Sequence, residues 1–127
     1  MAIKLVIADD APFIREVIKQ ISETHGFKIL GEAGDGSEVV QMVAELQPDI
    51  VIMDLVMPEK NGVEATEILM EKYPDLKVIV CTTVNNEGIV LRALKAGACD
   101  FITKPFTQEK FVATVRKAMG YVQENTL

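Results

Sequence analysis

The run Ile50-Val51-Ile52-Met53, ending in Asp54, constrains this chain more than any other feature. It is short, apolar at every position and rich in β-branched residues. Such a run fits a strand buried on both faces, in a sheet covered by helices above and below. Met57-Pro58 and then Asn61-Gly62 turn the chain away after it. Asp54 therefore stands at the carboxyl end of a buried strand, where open α/β sheets place their ligands. Taken alone, the acid reads equally well as a turn cap, and the rest of the chain decides between the two.

Before that strand, residues 3–8 form an apolar run closed by Asp9-Asp10. Pro12 opens a helix where proline is tolerated, Phe13, Val17, Ile18 and Ile21 give it a buried stripe, and Gly26 stops it. Residues 28–32 read as a more polar strand at the sheet edge. Asp35-Gly36-Ser37, with Glu38 close behind, caps a helix whose stripe is Val39, Val40, Val43 and Leu46. After the central strand, Val63, Ile68 and Leu69 mark a helix running to Tyr73-Pro74. Residues 77–81 are a fourth strand leading into Thr82-Thr83. Asn85-Asn86 offers a cap to a helix carrying Ile89, Val90, Ala93, Leu94 and Ala96, stopped at Gly97. Residues 100–103 form a fifth strand, followed by Lys104-Pro105-Phe106. Thr107 caps the last helix, through Phe111, Val115 and Met119.

Strand and helix alternate five times, which implies an α/β fold with a five-stranded parallel sheet and helices on both faces. Right-handed crossovers then bring every strand's carboxyl end to one edge. We expect one domain over residues 1–120 and a C-terminal tail over 121–127. The 127 residues suffice for one real core, and 49% hydrophobic with 25% charged residues is a globular balance. No apolar run reaches membrane-spanning length, so no membrane partner is expected. The first residues lead straight into a strand, so no signal peptide is expected and the cytoplasmic compartment is the default. Thirteen basic against 19 acidic residues leave a net charge of -6, with no Lys/Arg cluster, which argues against a nucleic-acid partner. Cys81 and Cys99 read as buried free thiols, and His25, the one histidine, as a surface residue.

The strand ends carry a constellation. Asp9 and Asp10 close the first strand, Asp54 the third, Thr82 the fourth, and Thr103-Lys104 the fifth. Carboxylates held together repel one another and raise a pKa unless a cation compensates. Mg²⁺ is such a cation, taking oxygen ligands and few protein groups. Three Asp with one Mg²⁺ and one Lys make a neutral site ready for a phosphoryl group. An Asp can accept that group covalently, while Lys104 and the Thr82 hydroxyl, with the Thr83 N–H, steady its oxygens.

This set resembles the receiver domain of two-component response regulators, and among them the stand-alone chemotaxis (CheY) type. The resemblance covers essentially the whole chain, through Asp9-Asp10, Asp54 with Met57-Pro58 and Gly62, Thr82, and Lys104-Pro105-Phe106. It implies strand order 2-1-3-4-5 and a phosphoacceptor role for Asp54. It also implies direct Mg²⁺ ligation by Asp10, Asp54 and the Val56 carbonyl, with Asp9 acting through a water. Lys104 would pair with the phosphoryl group, across a cis Lys104-Pro105 bond, while Thr82 swings and Phe101 moves inward. A sensor histidine kinase is the implied donor, and a downstream protein, the flagellar switch among the candidates, the implied target.

Three departures from the best-known chemotaxis pattern stand out. Phe101 stands where those proteins carry Tyr. Val56 and Val84 are apolar where polar side chains often flank the phosphoryl group, so a long-lived phosphoryl state is expected. Asn86 and Glu87 replace lysines, which would disfavour a target that needs a basic face. A phosphorelay shuttle or phosphate sink is the alternative role. A non-phosphorylated pseudo-receiver is disfavoured by the complete Asp, Thr and Lys set. An aspartate-nucleophile phosphohydrolase would need an acid two positions after Asp54, where Val56 stands, and a nucleotide or flavin module would need a Gly-rich loop where Asp9-Asp10-Ala11-Pro12 stands.

Overall fold

The computed structural model describes residues 2–57, 61–83 and 86–121. Five strands alternate with five helices: β1 Lys4–Ala8, α1 Pro12–Thr24, β2 Lys28–Ala33, α2 Gly36–Leu46, β3 Ile50–Asp54, α3 Gly62–Lys72, β4 Lys77–Thr83, α4 Glu87–Lys95, β5 Asp100–Lys104 and α5 Gln108–Ala118. All pairings are parallel, and the order is β2-β1-β3-β4-β5. The expected fold class and strand order are both observed.

Two-residue periodicity sorts the strand side chains between two cores. Val6, Ala8, Val51, Met53, Val78 and Val80 meet α2, α3 and α4 through Val39, Val43, Leu69 and Ala93. Leu5, Ile7, Ile50, Ile52, Ile79 and Ile102 meet α1 and α5 through Ile18, Phe111 and Val115. Every residue of β3 is buried, as a strand covered on both faces requires.

Three sequence expectations need correction. Phe13 is 76% exposed, because α1 turns Ile14, Ile18 and Ile21 toward the sheet and leaves its neighbour outside. Cys99 is exposed just before the edge strand β5, and only Cys81 is buried. Asn86 occupies the N-cap position of α4 but makes no side-chain cap bond. The other helix starts behave as their sequences demand. Asp35 accepts from the Glu38 N–H, Thr107 from the Lys110 N–H, and Asn61 forms a reciprocal capping box with Glu64.

Candidate functional site

Chain order changes direction between β1 and β3: β1 leads out to β2 on one side, and β3 lies on the other. A cleft opens at the carboxyl ends of such a strand pair. Asp9 follows β1, Asp54 ends β3, and β4 and β5 bring Thr82 and Lys104 to the same edge. Parallel register sets Asp54 beside Cys81, and Thr82 and Thr83 beside Thr103 and Lys104.

Each acid is fixed from its own loop. Asp9 is 2% exposed, and its carboxylate accepts the Ala11 N–H at 2.9 Å and the Lys104 ammonium at 2.8 Å. Arg15 donates to the Asp9 carbonyl at 2.6 Å and reaches Glu32 at 3.1 Å, tying the β1 end to β2. Asp54 is also buried; its Oδ1 accepts the Val56 N–H at 3.2 Å and lies 3.6 Å from the Lys104 Nζ. Asp10 is exposed, yet its carboxylate joins those of Asp9 and Asp54, with one oxygen from each lying within 4.8 Å of the others. The Lys104-Pro105 peptide is cis, as expected.

The electrostatics follow from this crowding. Burial first, and then the Asp9 charge, push the Asp54 carboxyl up to about 6, against the pull of Lys104 and the Val56 N–H. Burial alone would lower Lys104, but the Asp9 hydrogen bond and the Asp54 and Asp9 charges outweigh it and hold Lys104 above its ordinary range. Cys81, fully enclosed beneath the site, is pushed up to about 12 by burial and stays a neutral thiol. A trio of hard oxygen donors with an unrelieved repulsion fits a divalent cation of the Mg²⁺ kind.

The raised Asp54 carboxyl has a consequence for stability. The folded protein holds that proton more tightly than the unfolded chain, whose carboxyl titrates near 3.8. Stability therefore falls as pH rises from about 4 to about 6, and the cost is full above that window. Asp54→Asn keeps the shape and removes the charge. In metal-free buffer at pH 7.5, it is expected to exceed wild type by about 1–2 kcal/mol, a few degrees in Tm, after allowing for solvent screening. The gap should close near pH 4. Thermal unfolding followed by circular dichroism checks this, and a gap independent of pH would contradict it.

Of the residues singled out in the sequence, Asp9, Asp10, Asp54 and Lys104 come together as expected. Thr82 is buried on the same edge, but its hydroxyl oxygen is engaged by Asn86. Val56, two residues after Asp54, is 63% exposed. Phe101 is 42% exposed on β5, and Val84 lies outside the described residues. Sequence reasoning missed Arg15, whose place in the first turns of α1 carried no signal beyond a polar helix face.

The chain belongs to the response regulator receiver domain family, whose model matches residues 5–116. Within that family it is similar to the chemotaxis protein CheY of Thermotoga maritima, 43% identical over 117 residues, covering 92% of this chain and 98% of that one. Among solved structures it resembles the response regulator domain of Thermotoga maritima CheB, with a TM-score of 0.86, 36% identity, and 97% and 100% of the two chains covered. It also resembles the CheX–CheY–BeF3–Mg complex from Borrelia burgdorferi, with a TM-score of 0.88, 30% identity, and 95% and 90% covered.

Proposed function

We propose that this protein is a phosphoacceptor response regulator of chemotaxis signalling, switched by a phosphoryl group on Asp54. The observation that carries this reading is the buried Asp54 carboxylate beside a second buried acid, with the Lys104 ammonium within reach of both. Residues 1–120 would form the receiver unit, acting in the cytoplasm, with 121–127 as its tail.

Asp54 is the nucleophile. One carboxylate oxygen attacks phosphorus, the phosphorus–nitrogen bond of a kinase phosphohistidine breaks, and the electron pair leaves on the imidazole nitrogen, which takes up a proton. Asp54 reacts as the anion, and at neutral pH a carboxyl near 6 is mostly ionised. Lys104 leaves its partnership with Asp9 to pair with a phosphoryl oxygen, and the Thr82 hydroxyl donates to another. Asp9, Asp10, Asp54 and the Val56 carbonyl would hold Mg²⁺, which when bound supplies positive charge against the phosphoryl oxygens. The chain transfers the group to itself and turns over no free substrate.

Movement of Thr82 and Phe101 would then reshape the groove between α4 and β5, lined by Val90, Leu91, Leu94 and Phe101. That face is the proposed contact for a downstream protein. The flagellar switch is a candidate target, and a phosphate-sink role is the alternative where no target engages. Apolar Val56 and Val84 leave an attacking water unoriented, so Val56→Asn with Val84→Glu should shorten the phosphoryl lifetime several-fold. An unchanged decay of labelled protein would remove that explanation. The reading as a whole is tested with a purified histidine kinase carrying labelled phosphohistidine. Label should move to this protein and the kinase should lose it; label that stays on every chemotaxis-type kinase tried would refute the assignment.

A further inference from the structure

Asn86 begins α4, yet its side chain does not cap that helix. Asparagine at this position ordinarily accepts an N–H from the first turn. Here its amide nitrogen reaches backward instead. It donates to the Thr82 hydroxyl oxygen at 3.1 Å and to the Thr83 hydroxyl oxygen at 2.8 Å. Its backbone carbonyl meanwhile accepts the Val90 N–H at 3.1 Å, closing the first turn of α4. One residue thus grips both strand-end hydroxyls and starts the helix.

We propose that Asn86 is a positioning residue that latches Thr82 in the unphosphorylated protein and sets how readily the site switches. The inference rests on the reading of Thr82 as a ligand of the Asp54 phosphoryl group. Thr82 is 4% exposed, and its oxygen is held on the α4 side by Asn86. The hydroxyl makes no hydrogen bond to Asp54 among the described residues. The Asn86 amide is anchored on exposed Thr83 as well, so it cannot follow Thr82 toward Asp54. Inward movement of Thr82 therefore breaks its 3.1 Å bond and leaves the Asn86 amide bonded to Thr83 alone. Losing that bond removes one of the two tethers between β4 and the start of α4, which walls the groove shared with Phe101. The latch opposes switching by the worth of one part-buried hydrogen bond.

Two readouts on the same samples test this. The first is the Thr82 χ1 angle in free protein, read by three-bond couplings to its methyl carbon. Wild type should show one staggered rotamer, and Asn86→Ala should show averaging between rotamers. A single unchanged rotamer in the variant overturns the latch. The absence of a cap bond in the native structure means that Asn86→Ala removes no cap from α4.

The second readout is the affinity for beryllofluoride with Mg²⁺, a mimic of the phosphoryl group, followed by fluorine NMR. Asn86→Ala should bind it about fivefold tighter than wild type. In a Thr82→Val background, which keeps the shape and removes the hydroxyl, the same substitution should change nothing. Equal affinity, weaker binding, or the same gain in both backgrounds would overturn the proposal, since a merely structural Asn86 would act without the hydroxyl. If wild type binds no beryllofluoride at all, the phosphoacceptor reading fails, and the Thr82 couplings still decide whether Asn86 holds the side chain.

Discussion

Gly62→Ala is expected to destabilise the protein by about 3 kcal/mol and to lower its Tm by roughly 10 °C. A Cβ on Gly62 would overlap the Asp54 carbonyl oxygen and stand 2.8 Å from the Leu55 Cα. Neither neighbour can yield. Asp54 closes β3 paired with Cys81 of β4, the Leu55 N–H donates to the Cys81 carbonyl at 3.2 Å, and the Gly62 N–H itself donates to the Leu55 carbonyl at 3.2 Å. The start of α3 is equally fixed, by the Asn61–Glu64 capping box and by the Thr66 hydroxyl on the Gly62 carbonyl at 2.7 Å. The missing side chain thus lets α3 press against the strand that carries Asp54. Displacing that loop should also slow phosphoryl acceptance, because Asp54 and the Val56 N–H would move with it. Thermal unfolding and the labelling rate check the two effects, and a variant with wild-type Tm would show that the β3–α3 contact is looser than described.

Lys104→Met is the second large change. It removes the cation 2.8 Å from Asp9 and 3.6 Å from Asp54 and leaves two buried carboxylates with no side-chain ion-pair partner among the described residues. Removing one member of a buried pair costs several kcal/mol. The 16% exposure of Lys104 reduces this to about 2 kcal/mol at pH 8 without metal. The Asp54 carboxyl should rise above its wild-type value of about 6, because Lys104 is the largest influence holding it down. Affinity for Mg²⁺ at pH 8 should increase, on the order of tenfold, because the metal no longer competes with an ammonium for the same oxygens. The variant should therefore be weak without metal and regain much of its stability with it. Unfolding curves with and without Mg²⁺ decide this, and an unchanged metal affinity would mean that Lys104 does not share the field of the three acids.

The fold was legible because its signals are periodic and its strands end abruptly. Buried runs closed by Asp9-Asp10, Asp54 and Thr82-Thr83 identify both the sheet and the edge that carries the candidate site, since parallel topology gathers such ends without further information. The same periodicity failed within α1. A helix turns by about 100° per residue, so with Ile14, Ile18 and Ile21 facing the sheet, Phe13 falls outside that stripe. The sheet took Ile14, and Phe13 was left outside. Asn86 illustrates a different limit. Its residue type and place predict a cap, but two hydroxyls delivered by β4 compete for its amide, and only tertiary geometry reveals which wins. Gly62 entered the sequence reading as part of a motif. Its physical reason, the close approach to the Asp54 backbone, becomes visible only once α3 is docked.

Asp54 is expected to take up a phosphoryl group with the help of the acids and the cation around it. Intact mass after incubation with a small acyl phosphate tests this most directly, for wild type and Asp54→Asn, each with Mg²⁺ and with a chelator. Wild type should gain the mass of one phosphoryl group only when metal is present, and Asp54→Asn should gain none. No gain in wild type, or an equal gain in the variant, would rule out Asp54 as the phosphoacceptor.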